Sequence, residues 1–291
     1  MPLALDPGAG PPITLDELID ALADAHIDPR DVDALASLGP IFARLGRNAD
    51  FLAERATAEL LRRADEARPL YGPQVLLLHP PDGRFLLRAC FWPAADDAVT
   101  RAAGAAAFFY GLPHDHNFSF LSYGYFGPGY DSDDYEYDGW SLRGEPGEAA
   151  GLIARGRRRL TPGALVLYRA RRDVHCQLPP PALSVSLNLM AFDPAQPWID
   201  QYRFDLATGT IAQGLTTAPA EALLALAVAF GTGADVAARL ARGHPMPRLR
   251  LAAYAALAAA DGDRAQDYWE AAADDPALAA WARTRLARLG A

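Results

Sequence analysis

The feature that most constrains how this chain can fold is a change of texture at residue 74. From there to about 215, apolar runs are broken by turn-forming clusters at 127–129, 145–147, 162–163, 179–181 and 207–209. That spacing suits an antiparallel sandwich or small barrel and not βαβ units, whose crossovers need helices of regular length. The stretch "QVLLLHPPDGRFLLRACFW" (74–92) is two apolar runs joined by Pro-Pro-Asp-Gly, the signature of a hairpin. An alanine-rich piece at 94–107 interrupts the strands, as a helical insertion or a mobile loop.

The flanks have helical spacing. In "TLDELIDALADAHID", Thr14 stands three residues ahead of Glu17, a capping box before a helix. Further helices are expected near 31–46 and 48–66, closed by Pro69 and the Tyr-Gly-Pro at 71–73. The sequence therefore reads as an N-terminal helical segment (1–72), a β domain (73–215) and a C-terminal helical segment (216–291). Within the last, "HPMPRLRLAAYAAL" and "DDPALAAWARTRLARL" recur at a spacing near 31 and resemble a repeat of the HEAT type, with a proline opening each second helix. Helices of that kind would hold a protein partner or pack as a lid on the β domain.

Composition narrows the function classes. A hydrophobic content of 51% over 291 residues is ample for a packed core. A net charge of −9 without a basic face argues against nucleic acid or an anionic membrane as partner. Small-molecule, peptide or protein partners remain. The two cysteines, Cys90 and Cys176, are too few for a disulfide framework, and no apolar run reaches the roughly 20 residues of a membrane span. With no leader signal at its start, the chain is expected to be soluble and cytoplasmic.

Three of the six histidines carry the chemistry. His114 and His116 are i and i+2 on an expected strand, so both imidazoles project from one face. His175 closes "LTPGALVLYRARRDVHCQL", a strand opened by Pro-Gly and a charged turn. Three imidazoles brought together form a site for a divalent metal.

H-x-H, then Gly127, then P-G and a third histidine resemble the two motifs of the cupin superfamily over about 74–195. The resemblance implies a double-stranded β-barrel holding a metal in His114, His116 and His175. The usual cupin glutamate is missing, because Phe120 and Leu121 stand at its positions. Cysteine dioxygenase and related thiol dioxygenases, cupins with three histidines and no glutamate, are more similar: "DGRFLLRACFW", "HDHNFSF" and "VHCQLPPPALSVSLNLMAFDP" resemble their hairpin, H-D-H and post-histidine segments. The implied activity is that of an iron(II) oxygenase with dioxygen as co-substrate. The family's substrate side is different here. "PQVLLLHP" lacks its arginine, Leu112, Asn188 and Met190 replace its Ser-His-Tyr relay, and no cysteine near 120 could form its thioether.

Three neutral imidazoles would leave the ion its full charge and one open face, for an anionic substrate beside dioxygen. The same site suits zinc or manganese, which keeps a zinc hydrolase or lyase open, as well as a non-catalytic metal-binding protein. Strand alternation puts Ser184, Ser186, Asn188 and Met190 on one face and Arg88, Cys90 and Trp92 on another. Arg88, Ser186, Met190 and Phe120 are the candidate substrate-binding residues, Asn188 and Tyr123 the candidate catalytic ones. Tyr125 shares the choice between proton donor and packed aromatic, and Asp115 is a candidate acceptor for a ligand imidazole. The acidic run 130–139 reads as a strand edge guarded by charge, with Glu136 as an alternative fourth ligand. Cys176 faces away from His175 as a small core residue.

Overall fold

A computed structural model describes residues 2–28, 30–65, 74–80, 82–193, 196–216 and 219–290. The chain divides into two compact units, Met1–Gln196 with Gln201–Leu215, and Pro197–Asp200 with Thr216–Ala291.

The first unit is mainly β with a helical layer. In chain order it comprises β1 (Leu3–Leu5), α1 (Leu15–Asp24), α2 (Val32–Ser37), α3 (Gly39–Gly46), α4 (Phe51–Asp65), β2 (Val75–His79), β3 (Phe85–Trp92) and α5 (Ala98–Ala103). Then follow β4 (Phe120–Phe126), β5 (Tyr130–Glu136), β6 (Ile153–Leu160), β7 (Leu165–Tyr168), β8 (Asp173–Gln177), β9 (Ser184–Ala191), β10 (Tyr202–Asp205) and β11 (Thr210–Gly214). The larger sheet runs β1-β7-β4-β9-β3-β2, and its neighbours are antiparallel throughout. A second layer has the order β6-β5-β8, also antiparallel. This second layer is extended by residues 113–115, which are laced to β8 on one side and to β10 on the other. The His114 and His175 amides each donate to the other's carbonyl at 3.0 Å, the Asp115 amide donates to Tyr202 O at 3.1 Å, and the Phe204 amide donates to Pro113 O at 2.9 Å.

Alternation gives the larger sheet one face for helices and one for a cavity. Phe85, Leu87 and Ala89 on β3, Leu121 and Tyr123 on β4, and Leu187 and Leu189 on β9 meet Leu18, Leu22, Leu35, Phe42, Leu45, Phe51 and Leu52 of the four N-terminal helices in one core. Each fully buried leucine here is worth about 1.5–3 kcal/mol of removed apolar surface. The helices thus share their core with the sheet.

The capping box is present, the Thr14 hydroxyl accepting from the Glu17 amide while the Glu17 carboxylate accepts from the Thr14 amide. Other expectations are corrected. The N-terminal segment is not all helical, since β1 adds to the edge of the larger sheet. The helix expected over 31–46 is broken at Leu38, because Gly39-Pro40 starts a new one. Residues 94–107 contain α5 and a 3-10 turn, Ala105–Phe108. The acidic run 130–139 is not an edge: β5 is the central strand of its layer, and its acids pair across to β6, Asp131 with Arg159 at 2.7 Å, Asp133 with Arg157 at 2.8 Å and Glu136 with Arg155 at 2.9 Å. Pro69, residues 71–73 and Pro81 of the hairpin lie outside the described residues.

The second unit holds α6 (Pro219–Ala229), α7 (Ala234–Gly243), α8 (Pro247–Ala260), α9 (Ala265–Ala273) and α10 (Ala279–Leu289). Leu249, Ala253, Leu257, Trp269 and Trp281 make its core, and Trp198 packs on it. Arg248 binds Asp200 at 2.7 Å and Glu221 at 2.6 Å. The recurring prolines, Pro245 and Pro276, lie in the bend and turn ahead of α8 and α10 and open neither helix; it is Pro247 that stands at the start of α8. Among the described residues, no helix is long and apolar enough to cross a membrane.

Gly127 shows why the β4–β5 turn demands glycine. Its φ is +80°, and a Cβ would lie 2.2 Å from the Leu183 carbonyl oxygen at the start of β9. Gly127→Ala is expected to cost about 1–3 kcal/mol. Urea denaturation of the variant, with secondary structure followed by circular dichroism, measures this, and a midpoint equal to wild type would show that the turn yields freely.

Candidate metal centre

The reciprocal backbone pair between His114 and His175 sets the two imidazoles opposite each other, and His116 follows two residues on. His114 makes two isolated bridges, to His175 and Arg203, and His116 lies outside any strand, since β4 begins at Phe120. The expected shared face is nevertheless realised. His116 Nε2 lies 3.0 Å from His175 Nε2, which lies 3.2 Å from His114 Nε2. The possible ligand atoms of the three side chains all fall within 4.8 Å of one another, and all three residues are buried.

The electrostatics suit a cation. Burial, opposed by the bond to the Leu112 carbonyl, lowers His114 to about 4. Burial holds His116 and His175 well below the ordinary imidazole range, with the neighbouring histidines adding to it. All three are therefore neutral at physiological pH, the form a metal requires. His114 Nδ1 lies 2.7 Å from Leu112 O, so Nδ1 carries the proton and Nε2 keeps its lone pair. At most one proton fits among three nitrogens this close, and the remaining lone pairs repel until a cation separates them. The donor set fits a divalent ion bound by three neutral nitrogens.

The cavity beside this cluster measures about 260 Å³ and lies between the two layers. From the larger sheet, the rows Phe120–Met190 and Arg88–Asn188–Ser122 face it, because those residues are register partners across β4, β9 and β3. Phe120, Met190, Arg88, Asn188, Cys90 and Trp92 line the cavity together with Phe109, Phe118, Tyr130 and the three histidines. Aromatic rings crowd the imidazoles, Phe120 at 4.8 Å from His116 and Tyr168 at 4.7 Å from His175 between centroids. Arg88 is a cation on this wall, and its Nε is buried with no hydrogen-bond partner among the described residues.

Several sequence-level candidates lie elsewhere. Tyr123 is on the opposite face of β4, packed on Phe42 at 6.4 Å and against α3. Alternation from Ser122 places it there, and the structure does not bring it to the cavity. Tyr125 points the same way, its hydroxyl donating to the Asn48 and Ala49 carbonyls. Ser186 is on the cavity side of β9, but its hydroxyl accepts from Trp92 Nε1 at 3.0 Å and it does not line the cavity. The Asn188 amide is engaged by Ser122 at 3.0 Å and Cys90 at 3.5 Å.

Asp115 is not an acceptor for a ligand imidazole. Its carboxylate takes the Tyr137 hydroxyl and, at 2.5 Å, the Tyr202 amide. Burial raises this carboxyl to about 6. Glu136 is held by Arg172 at 2.7 Å and Arg155 at 2.9 Å and stands away from the cluster.

Gln177 was missed. On β8 it is i+2 from His175, so the strand period puts its amide on the ligand face, and that spacing was legible in "HCQ". Its amide nitrogen lies 3.0 Å from His175 Nε2, and Gln74 and Gln201 complete the polar lining.

Comparison with known proteins gives the following. No protein-family model matches the chain, and no curated protein sequence does. Among solved structures, DMSP lyases RdDddP and RnDddQII match at a TM-score of 0.23 and 15% identity, over 42% of this chain and 44% of theirs. Hydroquinone 1,2-dioxygenase PnpCD, in complex with Cd2+ and 4-hydroxybenzonitrile, matches at 0.27 and 13%, over 46% and 72%. A cupin domain from Bordetella pertussis Tohama I matches at 0.24 and 12%, over 43% and 100%. The chain thus spans less than half of the first of these. Likenesses this low carry no argument, and the two-layer fold rests on the strand pairing above.

Because the imidazoles are neutral well below their usual range, their ligand form persists as the pH falls. Metal bound at pH 7.5 is expected to survive dialysis at pH 5.5 and to leave only in more acid buffer, and His175→Ala to retain none at either pH. Elemental analysis after dialysis measures both, and half-release near pH 6.5 would mean that the imidazoles titrate as ordinary histidines.

Proposed function

We propose that the protein is a metal-dependent enzyme, an iron(II) oxygenase acting on a small or peptide-borne anionic substrate. The observation that carries this reading is the convergence of three buried, neutral Nε2 atoms on one cavity, with no carboxylate among them. A donor set without charge leaves a divalent ion its full positive charge, which favours an anionic substrate on the ion. Iron held by His114, His116 and His175 would supply the redox chemistry that dioxygen requires.

The chain's own residues do the rest. Arg88 meets the anionic end of the substrate, since it lines the cavity with no ion-pair partner among the described residues and a guanidinium pairs bidentately with carboxylates. Phe118, Phe120, Met190 and Trp92 form the apolar wall that holds its carbon skeleton and keeps bulk water away from the ion. Asn188, fixed by Ser122, presents its amide to the same space. The C-terminal helices, similar in sequence to a HEAT-type pair, are proposed as the surface for a protein partner.

The test is metal identification in anaerobically purified protein, with oxygen uptake screened against thiols, amino acids and short peptides. Iron at one equivalent and uptake dependent on a substrate are expected. Zinc as the retained metal, with no uptake after iron loading, would overturn the oxygenase in favour of hydrolytic or lyase chemistry. Arg88→Met is expected to raise KM about tenfold or more with metal content unchanged, as loss of a charged contact to substrate should.

A further inference from the structure

Phe109 holds a backbone conformation that its residue type avoids. Its φ is +60° and its ψ +15°, in the left-handed region, where a side chain this bulky is strained. The residue closes the 3-10 turn Ala105–Phe108, its amide donating to Ala106 O at 3.1 Å, and so stands where glycine usually ends a helix. Both neighbours are pinned. Phe108 is fully buried, its carbonyl accepts from Gln74 Nε2 at 3.2 Å, and its ring stacks on Tyr110 at 5.9 Å. The Tyr110 hydroxyl donates to Pro93 O at 2.7 Å, and the Gly111 amide donates to Gln177 O at 2.9 Å. A strained residue persists where its surroundings over-determine it, and such residues gather at functional sites.

The ring is held where cavity and solvent meet. Phe109 lines the cavity, its ring 5.3 Å from that of His114 between centroids, yet the residue is 41% exposed. The other described residues of that lining are buried or half-buried. Phe109 is therefore the part of the wall that stands between the imidazoles and bulk water. The alanine-rich insertion between β3 and β4 thus brings an aromatic ring to the mouth of the cavity. We propose that Phe109 sizes the entrance to the metal centre, admitting small anions and holding back bulky ones, an assignment that rests on reading the three imidazoles as the metal site. A cavity of about 260 Å³ behind such a ring suits a small free molecule better than a residue borne on a peptide, whose flanking chain would have to pass the same ring. The strain is the cost of the ring's position. Glycine here would relax the turn and leave the mouth open, whereas alanine would keep the strain and lose the cover.

The experiment compares wild type, Phe109→Ala and Phe109→Gly, each loaded with cobalt(II), whose visible absorption changes when an anion joins the ion. Azide and 2-naphthoate are the small and the bulky probe, and their association rates are read by stopped flow. Far-UV circular dichroism of the metal-free forms checks the fold. Wild type is expected to take up azide rapidly and naphthoate slowly. In both variants naphthoate association is expected to rise about tenfold or more, while azide stays within about twofold of wild type. If Phe109→Ala fails to fold, Phe109→Gly, whose backbone suits the turn, carries the comparison alone. Naphthoate rates equal to wild type, or an equal rise for both anions, would overturn the Phe109 assignment alone. No stoichiometric cobalt in wild type would overturn it together with the three-histidine reading.

Discussion

Two backbone hydrogen bonds carry much of this structure. The His114 and His175 amides each donate to the other's carbonyl at 3.0 Å, joining residues 61 apart in sequence. This pair fastens the loop ahead of β4 to β8 and so completes the second layer between β8 and β10. The same bonds fix where two of the three imidazoles stand. Neither imidazole would be placed by its own rotamer preferences alone, and the site exists because the layer closes there.

Asp115, between the two histidines of the H-x-H segment, explains how the short irregular segment holds its place. Its side chain points away from the cavity and ties the segment to Tyr137 and to the Tyr202 amide, while the Gln201 amide donates to its carbonyl at 2.8 Å. A buried carboxyl of this kind is costly unless its oxygens are satisfied. Here both are, so the cost of burial is offset by three elements being drawn together. On the other side of the cavity, the helix layer does comparable work by apolar burial, leaving one face of each strand free to present Arg88, Asn188 and Phe120.

Much of the site was readable from alternation. Arg88, Cys90 and Trp92 on one face of a strand, and Asn188 and Met190 on another, follow from period two, and the structure places these five on the cavity wall. Tyr123 could have been assigned to the helix side by the same rule, counted from Phe120. Gln177 is a residue that alternation from His175 would have found. Asp115 was beyond such reasoning, because it stands between two candidate ligand histidines and nothing local says which donors its carboxylate will meet. The acid-rich β5 was misjudged as an edge because pairing to the arginines of β6 depends on a connection of 16 residues, from 137 to 152, that encodes no partner.

The sequence by itself determined the division into helical and strand-rich segments, the capping of the first helix, the faces of most strands and the three histidines as the chemically informative set. These are local properties, written in periodicity and in residue type. Only the tertiary structure decided that the three Nε2 atoms converge, that β1 and the N-terminal helices complete the same unit as the strands, and that Arg88 and Gln177 reach the cavity beside the histidines, each with a buried polar atom that has no hydrogen-bond partner among the described residues. Those outcomes depend on register and layer closure between segments many tens of residues apart. Loop-closure entropy and core packing choose among the registers that local pattern permits.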